Sequence, residues 1–125
     1  MRVASHAASP GRPFIERYGG GRFQIGEFVQ AGPILVLPQR ALPWDAPAFD
    51  ALGEEAFAPV FEAGSAVELV LLGCGRRPLP PPAGLRAALK RRGLALEVMD
   101  TGAACRTFNV LLAEERRVAA ALYPV

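Results

Sequence analysis

The chain has 125 residues and a formal net charge of +2 at pH 7, from 14 basic and 12 acidic side chains. This length provides one hydrophobic core and leaves too few residues for a second domain, and the small basic excess does not predict a nucleic-acid-binding surface. Hydrophobic residues make up 51% of the chain and charged residues 21%, a balance that excludes a disordered protein. The composition therefore predicts one globular domain and no nucleic-acid partner.

The first 17 residues are rich in Pro, Gly, Ser and Arg, so we expect a flexible N-terminal segment followed by a single domain at 18–125. His6 lies in that segment without neighbouring ligand residues, and we expect neither a metal nor a cofactor. Two cysteines without an evident secretory signal are typical of a cytoplasmic bacterial protein, or of a mitochondrial one if the source is eukaryotic. No apolar run approaches the about 20 residues that span a bilayer, so no transmembrane segment is expected.

The first half of the domain starts with strand signals. Apolar residues alternate on either side of a glycine-containing pair within 23–29, which predicts an N-terminal β-hairpin. The apolar run 34–37 lies between two prolines and is typical of a strand covered on both faces. After that strand comes the single tryptophan, and we interpret Trp44 as a side chain that covers the core. Apolar residues at helical spacing then predict a helix over 49–63, ended by Gly64.

A second strand and its following helix come next. The run 67–73 is the strongest apolar segment of the chain and predicts a buried strand. Prolines within 78–82 exclude a helix until the last of them, which is suited to start one that ends near Arg92. The basic run 90–92 lies where cations oppose the negative end of the helix dipole, so we interpret it as a structural cap.

The last third of the chain contains the most specific stretch. The apolar run 94–99 predicts a third central strand, and a helix is expected from about 103 to 114. Thr101 or Gly102 is suited to cap that helix. The segment 117–125 is interpreted as a terminal strand.

Strands that alternate with helices predict an α/β fold with a mostly parallel, mixed sheet. Consecutive parallel strands end on one edge, where ligands of open α/β sheets bind. We expect Arg40 on this edge, together with the loop after the second strand and the junction after the third. The predicted ligand-binding or partner-binding residues there are Trp44, Cys74, Arg76, Asp100, Thr101, Gly102, Cys105 and Arg106.

The chemistry of this edge stays open at the level of sequence. The start of a helix together with Arg76 or Arg106 is suited to a small anion, whereas the favoured alternative is that Asp100 and the arginines cap the helix and pair with each other. Cys105 lies in the first helical turn, where a thiol can have a lowered pKa. The folded part of the chain has no histidine to serve as its base, so we assign no catalytic residue. A reversible disulfide between Cys74 and Cys105 is a further open alternative.

Several segments of the chain carry a family resemblance. They are residues 18–23, 71–75 and 93–100, residues 35–44 with the order Leu-Pro-x-x-x-Leu-Pro-Trp, and MDTGAACRTFNVLLAEERRVAAAL from residue 99. Together they resemble the small domain family that includes mitochondrial complex I assembly factor 3 and the adipogenesis-associated domain proteins. The resemblance covers the chain from about residue 14 to its end.

This resemblance implies a three-layer α/β fold, with a central mixed sheet, helices on its faces and a last strand antiparallel to its neighbours. It implies no catalytic residues: mitochondrial members act by association during assembly of the respiratory NADH dehydrogenase, and bacterial members are mostly of unknown function. The chain departs from the family in two places. Cys74 stands where Thr or Ser is common, and Glu115 replaces a common Gly, which weakens the predicted turn between helix and strand.

The leading functional prediction is a non-catalytic interaction or assembly protein with a protein partner. The alternative is a small-molecule or anion-binding protein, an enzyme among the options, that uses the sheet edge near Cys74, Arg76, Thr101 and Arg106.

Overall fold

The computed structural model describes residues 11–125, which form three layers around a five-stranded sheet. The strands are β1 (Arg17–Gly19), β2 (Arg22–Ile25), β3 (Phe28–Ala31), β4 (Ile34–Val36), β5 (Ala41–Pro43), β6 (Leu69–Gly73), β7 (Ala95–Met99) and β8 (Val118–Leu122). The helices are α1 (Ala58–Glu62), α2 (Leu85–Arg91) and α3 (Thr101–Ala113). The expectations for His6 and for the rest of the first ten residues lie outside the described residues.

The central sheet is mixed, as predicted. Its strand order is β5-β4-β8-β6-β7, and β8 is parallel to β6 but antiparallel to β4. The last strand is therefore antiparallel to one neighbour and parallel to the other, whereas the resemblance implied that it opposes both. The parallel strands are β6, β7 and β8. Their carboxyl ends form one edge of the sheet, which we call the carboxyl edge.

The position expected for Arg40 is wrong. A tight return, in which Leu37 N–H donates to the Arg40 carbonyl at 2.7 Å, joins β4 directly to β5. So short a connection can join only antiparallel strands, and β4 runs against β8. Its carboxyl end, with Arg40, consequently lies at the end of the sheet opposite to the carboxyl edge.

Side chains alternate between the two faces of the sheet and build two hydrophobic clusters. On β6, Val70 and Leu72 pack with α1, α2 and Trp44, whereas Leu71 packs on the opposite face with α3 and the small antiparallel sheet β1-β2-β3. Residues 118–122 of β8 are buried throughout. A strand buried on both faces is what an uninterrupted apolar run encodes.

The predicted helix over 49–63 is mostly a series of short 3₁₀ turns. These turns cover Phe49–Ala51 and Glu54–Phe57, and an α-helix follows only at Ala58–Glu62. Gly53 is extended, with φ −126° and ψ 178°, and Pro59 in the first turn of α1 lacks the N–H that a longer helix would need. The apolar spacing predicted the buried face correctly, but these two residues divide the segment.

Packing begins before the predicted domain boundary at residue 18. Phe14 and Ile15 are buried in the same cluster as α3. The side-chain amide of Asn109 makes two hydrogen bonds with the backbone of Ile15. Ile15 N–H donates to Asn109 Oδ1, and Asn109 Nδ2 donates to the Ile15 carbonyl, each at 2.8 Å. Residues 14 and 15 are therefore a packed part of the domain, and β1 adds a third strand to the predicted hairpin.

The turn from α3 to β8 has the geometry that the family's glycine would favour, although Glu115 occupies it. Glu115 has φ 61°, and among residues 11–125 it is the one non-glycine residue with positive φ. Glu115 N–H donates to the Leu112 carbonyl and Arg116 N–H to the Leu111 carbonyl, both at 2.9 Å. This is a Schellman helix end, which favours glycine at the residue with positive φ.

We expect Glu115→Gly to stabilise the protein by about 1 kcal/mol, because the left-handed conformation costs a residue with a Cβ about that much or more. Denaturant unfolding measures the change. Glu114→Gly is the matched control: Glu114 has φ −87°, so glycine there should lower the free energy of unfolding. A loss of stability in Glu115→Gly would contradict the assigned turn.

Candidate functional site

The core of the carboxyl edge is a buried threonine that joins three segments. The Thr101 hydroxyl donates to the Tyr123 carbonyl at 2.7 Å and accepts from Gly75 N–H at 2.9 Å. Thr101 N–H donates to the Gly75 carbonyl at 2.8 Å, and the side chain has 0% exposure. Thr101 thus fastens the loop after β6 and the end of β8 to the start of α3, and its hydroxyl is fully engaged.

The cap of α3 is Asp100, not Thr101 or Gly102 as predicted. Asp100 is extended, with φ −61° and ψ 156°, and its Oδ1 accepts from Ala103 N–H at 2.9 Å. An N-cap residue needs non-helical backbone and a side-chain acceptor. The helix therefore begins at residue 101, two residues earlier than predicted.

Two glycines at this edge serve close packing. A Cβ on Gly73 would lie 2.9 Å from Leu122 Cδ2 and 3.0 Å from Thr101 Cα, so Gly73 lets the start of α3 approach β6. A Cβ on Gly102 would lie 3.2 Å from both the Arg106 guanidinium and the Tyr18 hydroxyl. Gly102 thereby leaves room for Arg106 Nη1 to donate to the Tyr18 hydroxyl at 2.7 Å.

The arginines of the edge are exposed and take no part in ion pairs. Within residues 11–125 the ion pairs are Arg92–Glu54 and Arg117–Glu68, so Asp100 does not pair with Arg76 or Arg106. The structure thus supports the expected capping by Asp100 but not the expected pairing. Arg76 and Arg106 thus remain exposed at this edge, outside any ion pair within residues 11–125.

Cys105 is enclosed in the core. Its side chain is 1% exposed and packs with Phe108 and Leu71. Burial raises the pKa of the Cys105 thiol to about 12, against a smaller lowering by the charge of Arg106. The lowered pKa considered from sequence is therefore wrong in direction, because desolvation of the thiol outweighs the effect of the nearby Arg106.

The raised pKa of Cys105 predicts a loss of stability in alkali. The thiol keeps its proton in the folded state up to about pH 12, whereas an unperturbed thiol loses it near 9.0. Between these values the folded state binds more protons, so the free energy of unfolding should fall as pH rises from 9 towards 12 and be unaffected by this group below 9. Tyr123, whose pKa burial raises from 10.0 to about 12, acts in the same direction.

Denaturant unfolding between pH 8 and 11 measures this dependence, and Cys105→Ala should have a shallower alkaline slope than the parent. Equal slopes in the two proteins would show that Cys105 is not the group responsible. As an independent check, iodoacetamide at pH 8.5 should leave Cys105 unmodified until the protein is unfolded.

Two other predicted site residues also lie inside the fold. Cys74 is buried, and its thiol donates to the Arg77 carbonyl at 3.1 Å. Both cysteines are free thiols. Trp44 lies in the core, where its ring meets Phe57 and Tyr123 at centroid distances of 5.5 and 5.3 Å and its Nε1 donates to the Ala56 carbonyl. Trp44 covers the core, as interpreted from sequence.

The structure therefore separates the predicted site residues into two groups. Arg76, Asp100, Gly102 and Arg106 reach the surface, whereas the buried residues are Trp44, Cys74, Thr101 and Cys105. Sequence reasoning missed Tyr18, because no pattern in the sequence links it to Arg106, which lies 88 residues later. Val110 was also missed, although its position four residues after Arg106 places both on one helix face; its side chain is 57% exposed.

Within residues 11–125, no group of three or more His, Cys, Asp or Glu side chains is arranged to hold a metal ion. Among the same residues, no helix has the length and apolar character needed to cross a membrane.

The fold and the site define a small three-layer α/β domain with a hydrogen-bonded carboxyl edge and exposed arginines beside it. The chain belongs to the family described as protein of unknown function (DUF498/DUF598), whose pattern matches residues 15–123. The resemblance inferred from sequence is confirmed.

Its relatives include NADH dehydrogenase [ubiquinone] 1 alpha subcomplex assembly factor 3 of Bos taurus, which is 34% identical over 116 residues. The match covers 93% of this chain and 63% of the bovine protein, so the chain spans less than two thirds of that relative's length. An uncharacterized protein of Rhodobacter capsulatus is 39% identical over 111 residues, which cover 89% of this chain and 84% of that protein.

Solved structures agree with the fold. A crystal structure described as an outer membrane protein from Bartonella henselae is 38% identical, with a TM-score of 0.82 over 93% of this chain and 98% of that one. A solution structure of a Bordetella pertussis protein, described as a Mth938-like domain, has a TM-score of 0.80 over 99% of this chain and 92% of that one. At 23% identity this second likeness concerns the fold alone.

Proposed function

We propose that this protein is a non-catalytic interaction or assembly protein and that the surface beside the carboxyl edge binds a protein partner. The proposal rests on a contrast between buried and exposed side chains at the carboxyl edge. Thr101 and Cys105, the groups with reactive side-chain atoms, are buried, and the Thr101 hydroxyl is hydrogen bonded, whereas Arg76 and Arg106 are exposed and outside any ion pair within residues 11–125. Exposed arginines outside ion pairs are suited to recognise another protein surface.

The relatives of the chain also support an assembly function. The bovine relative is named as an assembly factor of a subcomplex of NADH dehydrogenase, and an assembly factor acts by associating with other proteins. By analogy we assign an assembly-factor-like role to this chain, in the cytoplasm for a bacterial source and in mitochondria for a eukaryotic one.

Quantitative capture from lysate after cross-linking tests this function. We expect the double variant Arg76→Glu/Arg106→Glu to recover about a tenth or less of the partner captured by the parent, because each reversed charge opposes association. Arg91→Glu is the matched control, since Arg91 lies in α2 and is also exposed and outside any ion pair. Circular dichroism should show that all three proteins are folded.

Equal capture by the double variant and the parent would contradict the assigned surface. Failure of the parent to enrich any protein over an unrelated control domain of the same size would contradict the function itself.

The alternative is a small-anion-binding protein that uses the same arginines. The exposed guanidinium groups favour it, but the start of α3 is less available than the sequence suggested, because Asp100 occupies Ala103 N–H with a carboxylate oxygen. A thermal-shift screen against anions and metabolites separates the two functions, since a ligand that binds the folded state must raise the melting temperature.

A further inference from the structure

Arg106 is held in a defined position on the surface of α3. Its Nη1 donates to the Tyr18 hydroxyl at 2.7 Å, and Tyr18 comes from β1, 88 residues earlier in the chain. The contact lies over Gly102, where a Cβ would come within 3.2 Å of both groups. Glycine is among the poorest residues inside a helix. Its presence in the first turn of α3 is explained by the space that this contact needs, and we call the contact the Tyr18–Arg106 pair.

Within residues 11–125, the remaining N–H donors of Arg106 have no hydrogen-bond partner. A guanidinium has five N–H donors, and the hydrogen bond to Tyr18 uses one of them. No carboxylate within residues 11–125 lies in ion-pair range of Arg106. The Nε and Nη2 edge therefore offers a free fork of parallel donors, the arrangement that matches the two oxygens of a carboxylate.

The surroundings of this fork favour a carboxylate that belongs to a macromolecule. Val110 follows Arg106 by one helical turn and is 57% exposed, and Tyr18 is 38% exposed. A free inorganic anion would gain nothing from these apolar side chains, whereas a protein surface would bury them. Arg76 adds a second exposed positive charge at the same edge of the sheet, because it follows Gly75, which is hydrogen bonded to Thr101.

We propose that Arg106, positioned by Tyr18, binds an Asp or Glu side chain of the partner protein through two parallel hydrogen bonds. This inference rests on the proposed function, since it names the chemistry by which the same surface recognises its partner. Tyr18 is a positioning residue: it holds the guanidinium before the partner arrives and so reduces the conformational entropy lost on binding. Lysine cannot replace Arg106 in this role, because its ammonium group lacks the planar fork.

The first experiment needs no identified partner. The full ¹⁵N-labelled chain is titrated with acetyl-hexaglutamate amide, and the Nε–Hε signal of Arg106 and the amide signal of Gly102 are followed by NMR. We expect both signals to shift in a saturable manner with hexaglutamate, more weakly with inorganic phosphate at equal total charge, and not with acetyl-hexaglutamine amide. The shifts should be lost in Arg106→Lys and kept in Arg91→Lys.

Three results would overturn the inference. They are the absence of saturable shifts with hexaglutamate, tighter binding of phosphate than of hexaglutamate, and an unchanged titration of the Gly102 amide in Arg106→Lys. The last result would reduce the interaction to attraction between net charges, which lysine provides equally well.

The second experiment uses the partner captured in the test of the proposed function. Arg106→Lys should weaken its binding about tenfold, as the loss of a hydrogen bond to a charged group would. Tyr18→Phe should weaken it about threefold, because Arg106 is then less ordered before binding. If partner capture is normal and Arg106→Lys binds like the parent, Arg106 does not bind a partner carboxylate through two hydrogen bonds, and the proposed interaction function is retained. If no partner is captured, the function fails, and the hexaglutamate titration still decides whether Arg106 binds carboxylates.

Discussion

Replacing Thr101 with valine is expected to lower the free energy of unfolding by about 3 kcal/mol, and the melting temperature by about 10 °C. Valine has nearly the shape of threonine but neither donates nor accepts a hydrogen bond. The substitution would leave the Tyr123 carbonyl and Gly75 N–H without the partners they now have at 2.7 and 2.9 Å. Thermal and denaturant unfolding followed by circular dichroism measure the effect.

Thr107→Val provides a control in the same helix, because Thr107 is half-buried and its hydroxyl has no hydrogen-bond partner within residues 11–125. It should change the free energy of unfolding by less than about 0.5 kcal/mol. Thr101→Ser keeps the hydroxyl and should lose less stability than Thr101→Val. Comparable losses in Thr101→Val and Thr107→Val would show that the buried hydroxyl does not fasten the carboxyl edge.

Removing the side-chain amide of Asn109 is expected to have the second largest effect. Asn109→Ala should destabilise the protein by about 2 kcal/mol, because the buried Ile15 backbone would lose an acceptor and a donor at once. The segment before β1 should also detach more often. Limited proteolysis should therefore cut next to Arg12 or Arg17 faster in the variant than in the parent.

Gln30→Ala is the comparison for Asn109→Ala. The Gln30 amide is also hydrogen bonded to backbone, but only to carbonyls within three residues of its own position. Its removal should leave both the stability and the cleavage pattern nearly unchanged. If Asn109→Ala is cleaved no faster than Gln30→Ala, the segment with Phe14 and Ile15 does not depend on this amide.

Much of the fold could be predicted because its central strands lie in apolar runs of the sequence. Residues 67–73 and 94–99 predicted β6 and β7 within two residues at each end, and the proline at 82 and the glycine at 93 bracketed α2. The direction of β4 could not be read in the same way. An apolar run identifies a buried strand but not its neighbours, and the hairpin to β5 became evident only from the backbone hydrogen bond across residues 37–40.

The site shows a similar division. The spacing of strand and helix signals correctly brought the loop after β6 next to the start of α3, where Gly75 and Thr101 are hydrogen bonded. The sequence could not predict which side chains point inward, because nothing in the pattern around Thr101 and Cys105 distinguishes a buried position from a surface one. The contact between Tyr18 and Arg106 links positions 88 residues apart, and neither residue has a pattern that reveals the other.

We propose that this protein acts through the exposed face of α3 beside the carboxyl edge. Site-specific photo-cross-linking in living cells tests it most directly, with a photoreactive amino acid placed at Val110 in one strain and at Ala87, an exposed position on α2, in another. We expect a discrete protein adduct from position 110, which Arg76→Glu/Arg106→Glu should abolish, and no adduct from position 87. An adduct from position 87 alone, or one from position 110 that survives the charge reversal, would contradict it.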